Sequence, residues 1–215
     1  MTADVIGAVL AGGRGRRIGG DKPSLEVGGQ TLVRHAVDAL RSVGLDVALV
    51  LRPHQPVPLT AHTIGIVRDE IENAGPLGGL EALMRWLPVE WALVVACDQP
   101  FLATSLLRGL LAQPRGEVDA VVARPREQLE PLPGLYRRTC LPAVAGALTR
   151  GERSLRDLLS SLCLVEMSAG AVRRCDPDLL SFVNVNTPAD LEQACAIVAS
   201  ASQKQLSEPP LGHRR

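Results

Sequence analysis

Short, unbroken apolar runs recur along this chain, each followed by a stretch whose apolar residues return at helical spacing. That alternation limits the folds open to it. The runs are Val5–Leu10, Val47–Leu51, Ile64–Val67, Trp91–Ala96 and Val118–Ala123. A strand reads as continuously apolar when both of its faces are covered, and strands alternating with helices pair in parallel through crossover units. Between the runs, Leu32, Val33, Ala36, Val37 and Leu40 mark a helix over Thr31–Val43. Gly75-Pro76 opens another over Leu77–Leu87, since proline suits a first helical turn, and a third spans Thr104–Ala112. The expected class is α/β, a doubly wound, mostly parallel sheet flanked by helices.

The second half is less regular. Leu132–Tyr136 reads as a short strand, Leu141–Leu148 and Leu155–Leu162 as helices, Phe182–Asn186 as a strand, and Ala189–Ser200 as a last helix. No repeat or linker divides the chain, so residues 1–200 are expected to form one domain. The polar tail over 201–215 carries Pro209-Pro210 and is expected to be disordered.

Composition narrows the function classes. Aromatics make up 2% of the residues against 46% hydrophobic, so the core must be built from Ala, Val, Leu and Ile. The 23 basic residues balance the 23 acidic ones, which argues against a general nucleic-acid surface, where a basic excess is the rule. No apolar run approaches the ~20 residues needed to span a bilayer, and Asp4 interrupts the amino-terminal segment where a leader would be apolar. Five cysteines occur with no C-x-x-C pair, the pattern of reduced thiols rather than of a zinc site or a disulfide framework. A soluble cytoplasmic protein is expected, without membrane or nucleic-acid partners.

The strongest motif follows the first run directly: Leu10-Ala11-Gly12-Gly13-Arg14-Gly15-Arg16-Arg17-Ile18-Gly19-Gly20-Asp21-Lys22-Pro23. Glycines such as Gly12, Gly13 and Gly15 let backbone N–H groups approach an anion with no Cβ in the way. Arg14, Arg16, Arg17 and Lys22 add positive charge where phosphates would lie. The loop is neither a Walker A motif, because Asp21 precedes Lys22 and Pro23 follows it, nor a dinucleotide fingerprint, because Ile18 stands where the third glycine would be.

Asp98 ends the apolar run Trp91–Ala96 within Cys97-Asp98-Gln99-Pro100. In doubly wound sheets, ligands bind beyond the carboxyl ends of the strands, and a carboxylate there suits Mg²⁺, which favours oxygen ligands and substrate phosphates. Asp69 and Glu70 follow the third run toward the same edge. Gly75–Gly79, Gly78 included, offers small residues against which a flat base or ribose could lie. In Phe182–Pro188, Asn184 and Asn186 alternate with apolar residues and share one face, where neutral amides suit a polar heterocycle.

Together these segments resemble the molybdenum cofactor guanylyltransferases of the MobA family. The Leu10–Pro23 loop is similar to the family's amino-terminal signature, Asp98 to its strand-end metal aspartate, Gly75–Gly79 to its GPLAG segment and Phe182–Pro188 to its FVNVNTP motif, in register from about Val5 to Leu191. The resemblance implies a Rossmann-like nucleotidyltransferase fold and transfer of GMP from GTP to the phosphate of molybdopterin or Mo-molybdopterin. It implies that Leu10, Ala11, Gly12, Gly13, Gly15, Asp69 and Gly78 contact the nucleotide, and that Arg17 and Lys22 neutralise its phosphates. Asp98 would bind Mg²⁺ and nucleotide, and Asn184 and Asn186 would lie near the pterin. Molybdoenzymes and other cofactor-assembly proteins are the further partners implied. Two positions depart from the family: Val50-Leu51-Arg52 stands where an asparagine often touches the nucleotide, and Gln99 resembles the cytidylyltransferase relatives. The alternatives are a cytidylyl- or sugar-phosphate nucleotidyltransferase and a non-catalytic nucleotide-binding carrier.

Overall fold

The computed structural model describes residues 4–13, 22–58, 63–71 and 73–207, the side chains of 201–207 excepted. Nine strands and seven α-helices are formed among them: β1 (Val5–Leu10), β2 (Glu26–Val27), β3 (Gln30–Thr31), α1 (Leu32–Ser42), β4 (Val47–Leu51), β5 (Gly65–Arg68), α2 (Gly75–Trp86), β6 (Trp91–Ala96), α3 (Thr104–Leu111), β7 (Ala120–Ala123), β8 (Glu130–Arg137), α4 (Leu141–Thr149), α5 (Leu155–Leu159), β9 (Leu164–Met167), α6 (Ala169–Cys175) and α7 (Pro188–Ser207).

Seven strands form one sheet in the order β5-β4-β1-β6-β8-β7-β9, and β2 and β3 form a separate hairpin. The pairs β1–β4, β1–β6, β4–β5 and β7–β9 are parallel, while β8 runs antiparallel to both β6 and β7. From β1 the chain moves outward to β4 and β5, then returns to lay β6 on the other side of β1. That reversal opens a crevice at the carboxyl ends of β1 and β6. Registers pair Leu10 with both Val50 and Ala96, so the three loops leave the sheet at one level.

Alternate residues feed two cores. Val5, Val9, Leu49, Leu93 and Val95 pack with α1, α3 and Val172 of α6 on one face. Ile6, Ala8, Val50, Ala92 and Val94 pack with α2, α4 and α5 on the other. A smaller core joins Val27 and Leu32 to Val185 and Ala194, fixing the chain before α7 to the β2–β3 hairpin.

The mostly parallel, doubly wound class holds, and the elements expected in the first half occur within a residue or two of their bounds. The second half departs in four places. Phe182–Asn186 is no strand: a 3₁₀ turn over Leu180–Phe182 leads into an unpaired extended segment, because its neighbour is the loop after β6 rather than a sheet edge. Leu155–Leu162 stops as a helix at Leu159, where Ser160 and Ser161 turn their hydroxyls onto the carbonyls of Asp157 and Leu158. The strand β9 and the helix α6 behind it were not anticipated. The last helix continues through Ser207, so Ala201, the expected start of a disordered tail, lies within it; residues 208–215 lie outside the described residues. No described helix is long and apolar enough to cross a membrane.

Gly7 in β1 faces Leu40 of α1, and a Cβ at that position would lie 3.0 Å from Leu40 Cδ1. The central strand therefore seats α1 through a missing side chain. Gly7→Val should destabilise the protein by about 1–3 kcal/mol through overpacking, read as a lowered urea midpoint at unchanged slope. An unchanged midpoint would mean that α1 is not held at this distance.

Candidate functional site

The loop after β1 is braced from below. Ala11 is fully buried, its N–H donates to the Val50 carbonyl at 2.9 Å, and its own carbonyl accepts from Gln55 Nε2 at 3.0 Å. Leu10, Gly12 and Gly13 line the cavity above it, whereas Ala11 does not. Arg14, Gly15, Arg16 and Arg17 lie outside the described residues.

Where the chain re-enters, Lys22 starts a 3₁₀ turn and is 7% exposed. Its Nζ donates to Asp98 Oδ2 at 2.6 Å and to Asn186 Oδ1 at 2.7 Å, so three segments far apart in sequence converge on one ammonium group. Asn186 is held in turn by the start of α7. The N–H groups of Asn186 and Thr187 donate to Asp190 Oδ2, and the Asp190 N–H donates to Thr187 Oγ1, a reciprocal helix cap. Those backbone N–H groups, helped by Lys22, hold the Asp190 carboxyl below the usual aspartate range. The Val185 N–H donates to the Asp98 carbonyl at 2.9 Å, which ties this segment to the loop after β6.

Asp98 Oδ1 is buried with no hydrogen-bond partner among the described residues. A desolvated carboxylate oxygen left over at a cavity wall is an acceptor awaiting a donor or a cation. Among the described residues no cluster of three His, Cys, Asp or Glu side chains could hold a metal ion. A cation here would rest on Asp98 together with oxygens of a ligand, the habit of Mg²⁺.

Two cavities meet at this carboxylate. The first, about 500 Å³, is lined by Leu10, Gly12, Gly13, Lys22, Arg52, Asp69, Gly75, Pro76, Gly79 and Asp98 among others. The second, about 560 Å³, is lined by residues that include Gln99, Glu130, Arg153, Arg156, Phe182 and Asn184. Pro76, Ala96, Asp98 and Leu132 line both. Each is of the size that takes a small molecule, so the pair forms one crevice divided by an acid.

Asp69 follows β5, is 8% exposed, and accepts the Ile71 N–H on Oδ1. Burial pushes its carboxyl above the usual aspartate range, and buried Glu81 adds to the rise. Gly78 makes room for it, because a Cβ there would lie 2.8 Å from Asp69 Oδ2. Gly78 thus acts through Asp69, and it is Gly75 and Gly79 of the same segment that line the cavity. Gln99 is occupied at both ends of its amide, accepting the Ala96 N–H and donating to the Leu132 carbonyl, and it joins the end of β6 to β8.

Of the residues expected at the site, Leu10, Gly12, Gly13, Lys22, Asp69 and Asp98 come together in the first cavity, Asn184 lines the second, and Asn186 bonds Lys22. Sequence reading marks Arg52 only as a departure from the family's asparagine, and it overlooked Gln55 and the wall of Glu130, Arg153 and Arg156. A polar residue shortly behind a buried strand is the signal that could have marked Gln55. Arg156 carried none, since its carboxylate partner Glu130 is 26 residues away.

Residues 7–167 match the family model of the MobA-like NTP transferase domain. The chain is similar to the molybdenum cofactor guanylyltransferase of Desulfosudis oleivorans, at 31% identity over 90% of this chain and 96% of that one. It is also similar to the probable molybdenum cofactor guanylyltransferase of Pelotomaculum thermopropionicum, at 33% identity over 87% and 90%. Among solved structures it resembles the molybdopterin-guanine dinucleotide biosynthesis protein A of Archaeoglobus fulgidus, with a TM-score of 0.78, 26% identity and coverage of 90% and 98%.

The raised Asp69 carboxyl has a sign that can be read in stability. A native state that holds this proton more tightly than the unfolded chain loses stability as pH rises through the interval above the ordinary aspartate value. Asp69→Asn removes that loss and keeps an oxygen for the Ile71 N–H. The stability of the variant relative to the parent should therefore rise as pH is raised above the ordinary aspartate value of about 4, followed by urea unfolding. A difference independent of pH would show that Asp69 is not desolvated.

Proposed function

The chain belongs to the MobA-like NTP transferase family, and from that premise we propose that it transfers GMP from GTP to the phosphate of molybdopterin or Mo-molybdopterin, releasing pyrophosphate. The observation that carries this reading is the meeting of two ligand-sized cavities at Asp98, one under a glycine-bearing loop and one beside Asn184. A transfer between two bound molecules needs such a shared wall. The names of the related proteins from Desulfosudis oleivorans and Archaeoglobus fulgidus point to the same product.

GTP occupies the first cavity. Its phosphates lie over Gly13 against Lys22, with Gly15 and Arg17 of the same loop contributing, and its nucleoside runs past Leu10 and Gly12 toward Asp69 and the start of α2. The pterin occupies the second cavity, near Asn184 and Asn186. An oxygen of the acceptor phosphate forms a bond to the α-phosphorus, the bond from that phosphorus to the β-bridging oxygen breaks, and the electron pair leaves with pyrophosphate. The attacking oxygen is already anionic, so no strong base has to remove a proton, and alignment with charge neutralisation is what the protein must supply. Lys22 serves that end from a fixed position, because Asn186 and Asp98 hold it in place before substrate arrives.

Asp98, whose Oδ1 has no partner among the described residues, would hold Mg²⁺ together with substrate phosphates, and the ion would supply neutralisation of the charge on the transferring group. Gln99, with its amide committed to the main chain, lends no support to cytosine as the base. The reaction belongs to the cytoplasm, where thiols such as those of Cys140, Cys163, Cys175 and Cys195 stay reduced. Molybdoenzymes and cofactor-assembly proteins are the onward partners such a product implies.

The purified protein with Mg²⁺, molybdopterin and either GTP or CTP should yield the guanine dinucleotide, identified by mass. Asp98→Asn keeps an oxygen for Lys22 and lowers affinity for the cation. It should slow turnover on the order of a hundredfold or more, the several kcal/mol that such an ion contributes. A cytosine product would overturn the reading, and nucleotide binding without any product would favour a carrier.

A further inference from the structure

Arg52 has no task in the transfer just described, yet it is presented to the first cavity with care. It stands at the carboxyl end of β4, next to β1 in the sheet, and lines the cavity opposite Gly12, where a Cβ would lie 3.2 Å from Arg52 Cγ. Its backbone is pinned on both sides. The Arg52 N–H donates to Gln55 Oε1 at 3.2 Å, and its carbonyl accepts from the Gln55 N–H at 3.3 Å and from Arg68 Nη1 at 2.9 Å. Gln55 is itself anchored to the Ala11 carbonyl, and His54 closes the turn in the left-handed region at a φ of 59°.

The side chain so positioned has a donor to spare. Among the described residues, Arg52 Nε is buried with no hydrogen-bond partner, and no carboxylate lies within ion-pair distance of its guanidinium. A buried donor of this kind calls for an acceptor that arrives with a ligand. The position in the sheet says which part of the ligand. Asp98 follows β6 and Arg52 follows β4, with β1 between them, so the two are separated by about 10 Å across two strand spacings. Phosphates held at Lys22 and Asp98 put the nucleoside, not the triphosphate, beside Arg52.

Guanine presents two adjacent acceptors, O6 and N7, matched by the fork of a guanidinium group, whereas the corresponding edge of cytosine carries an amino donor. We infer that Arg52 reads the O6/N7 edge of guanine and sets the base selectivity of this chain, an inference that rests on the GMP-transfer reading above. The same fork attracts guanine and meets cytosine donor to donor, so it selects by repulsion as well as attraction.

Nucleotide affinity measured by calorimetry without any acceptor tests this, using GTP, 7-deaza-GTP and CTP against the parent, Arg52→Ala and Arg52→Lys, with thermal midpoints to certify folding. The parent should prefer GTP and bind 7-deaza-GTP more weakly. Arg52→Ala should lose roughly ten- to hundredfold in GTP affinity, treat GTP and 7-deaza-GTP alike, and hold CTP within about twofold. Arg52→Lys keeps the charge without the fork, so it too should lose preference for GTP. Equal weakening of GTP and CTP in Arg52→Ala, or no weakening of either, would overturn the inference while leaving the transfer reading intact. A parent that prefers CTP would overturn the transfer reading itself, whatever the variants do.

Discussion

A single buried ammonium group organises the carboxyl edge of the sheet in this molecule. Lys22 joins the re-entry of the loop after β1, the acid after β6 and the segment before α7, which are 76 and 164 residues away from it. A buried ion pair is poor evidence for stability, because desolvation of both charges offsets most of their attraction. What this pair supplies is position. Removing either partner would strand the other in a cavity wall, so the arrangement fixes three loops whose mutual geometry no secondary structure controls.

The sheet makes that convergence possible. Parallel strands in register deliver Ala11, Leu51 and Cys97 to one level, and the reversal of strand order at β1 opens the crevice at that level. Two small details then shape it. Gly78 leaves room for the buried carboxylate of Asp69, and the cap between Thr187 and Asp190 aims Asn186 at Lys22. Each is a local interaction with a distant consequence, since the floor of one cavity and the wall between two depend on them.

The fold of the first half was legible because its signals are local. Buried parallel strands write themselves as apolar runs, and Val5–Leu10 or Trp91–Ala96 could hardly be anything else. Asp98 and Lys22 were legible as residues because strand ends and glycine-bearing loops have chemical meaning wherever they occur. Their contact was not, because it depends on the order of strands in space. The extended segment Val183–Asn186 read as a strand because alternation of apolar and amide residues is the signature of one. It alternates for another reason: Val185 enters the small core with Val27 and Ala194, while Asn184 and Asn186 face the site. A period of two records a surface with two sides, and pairing is only one way to make it. The antiparallel insertion of β8 between β6 and β7 carried no local mark, since the sequence of an interior strand does not state its direction.

The same logic bears on Gln99. In the sequence it stands beside Asp98, in a segment that resembles the cytidylyltransferase relatives. In the fold, neighbours along a strand end diverge: the Asp98 side chain enters the crevice, while the Gln99 amide turns to the backbone of Ala96 and Leu132. In the proposed placement of the nucleotide, base and phosphates are separated across the sheet, so a residue that reads the base has to come from a strand other than the one that bears Asp98. Strand β4 meets that condition, and its last turn is held by Gln55 and Arg68 with a rigidity that a mere connecting loop does not need. Selectivity in such a site is therefore a property of sheet order, and it is sought two strands from the chemistry rather than one residue from it.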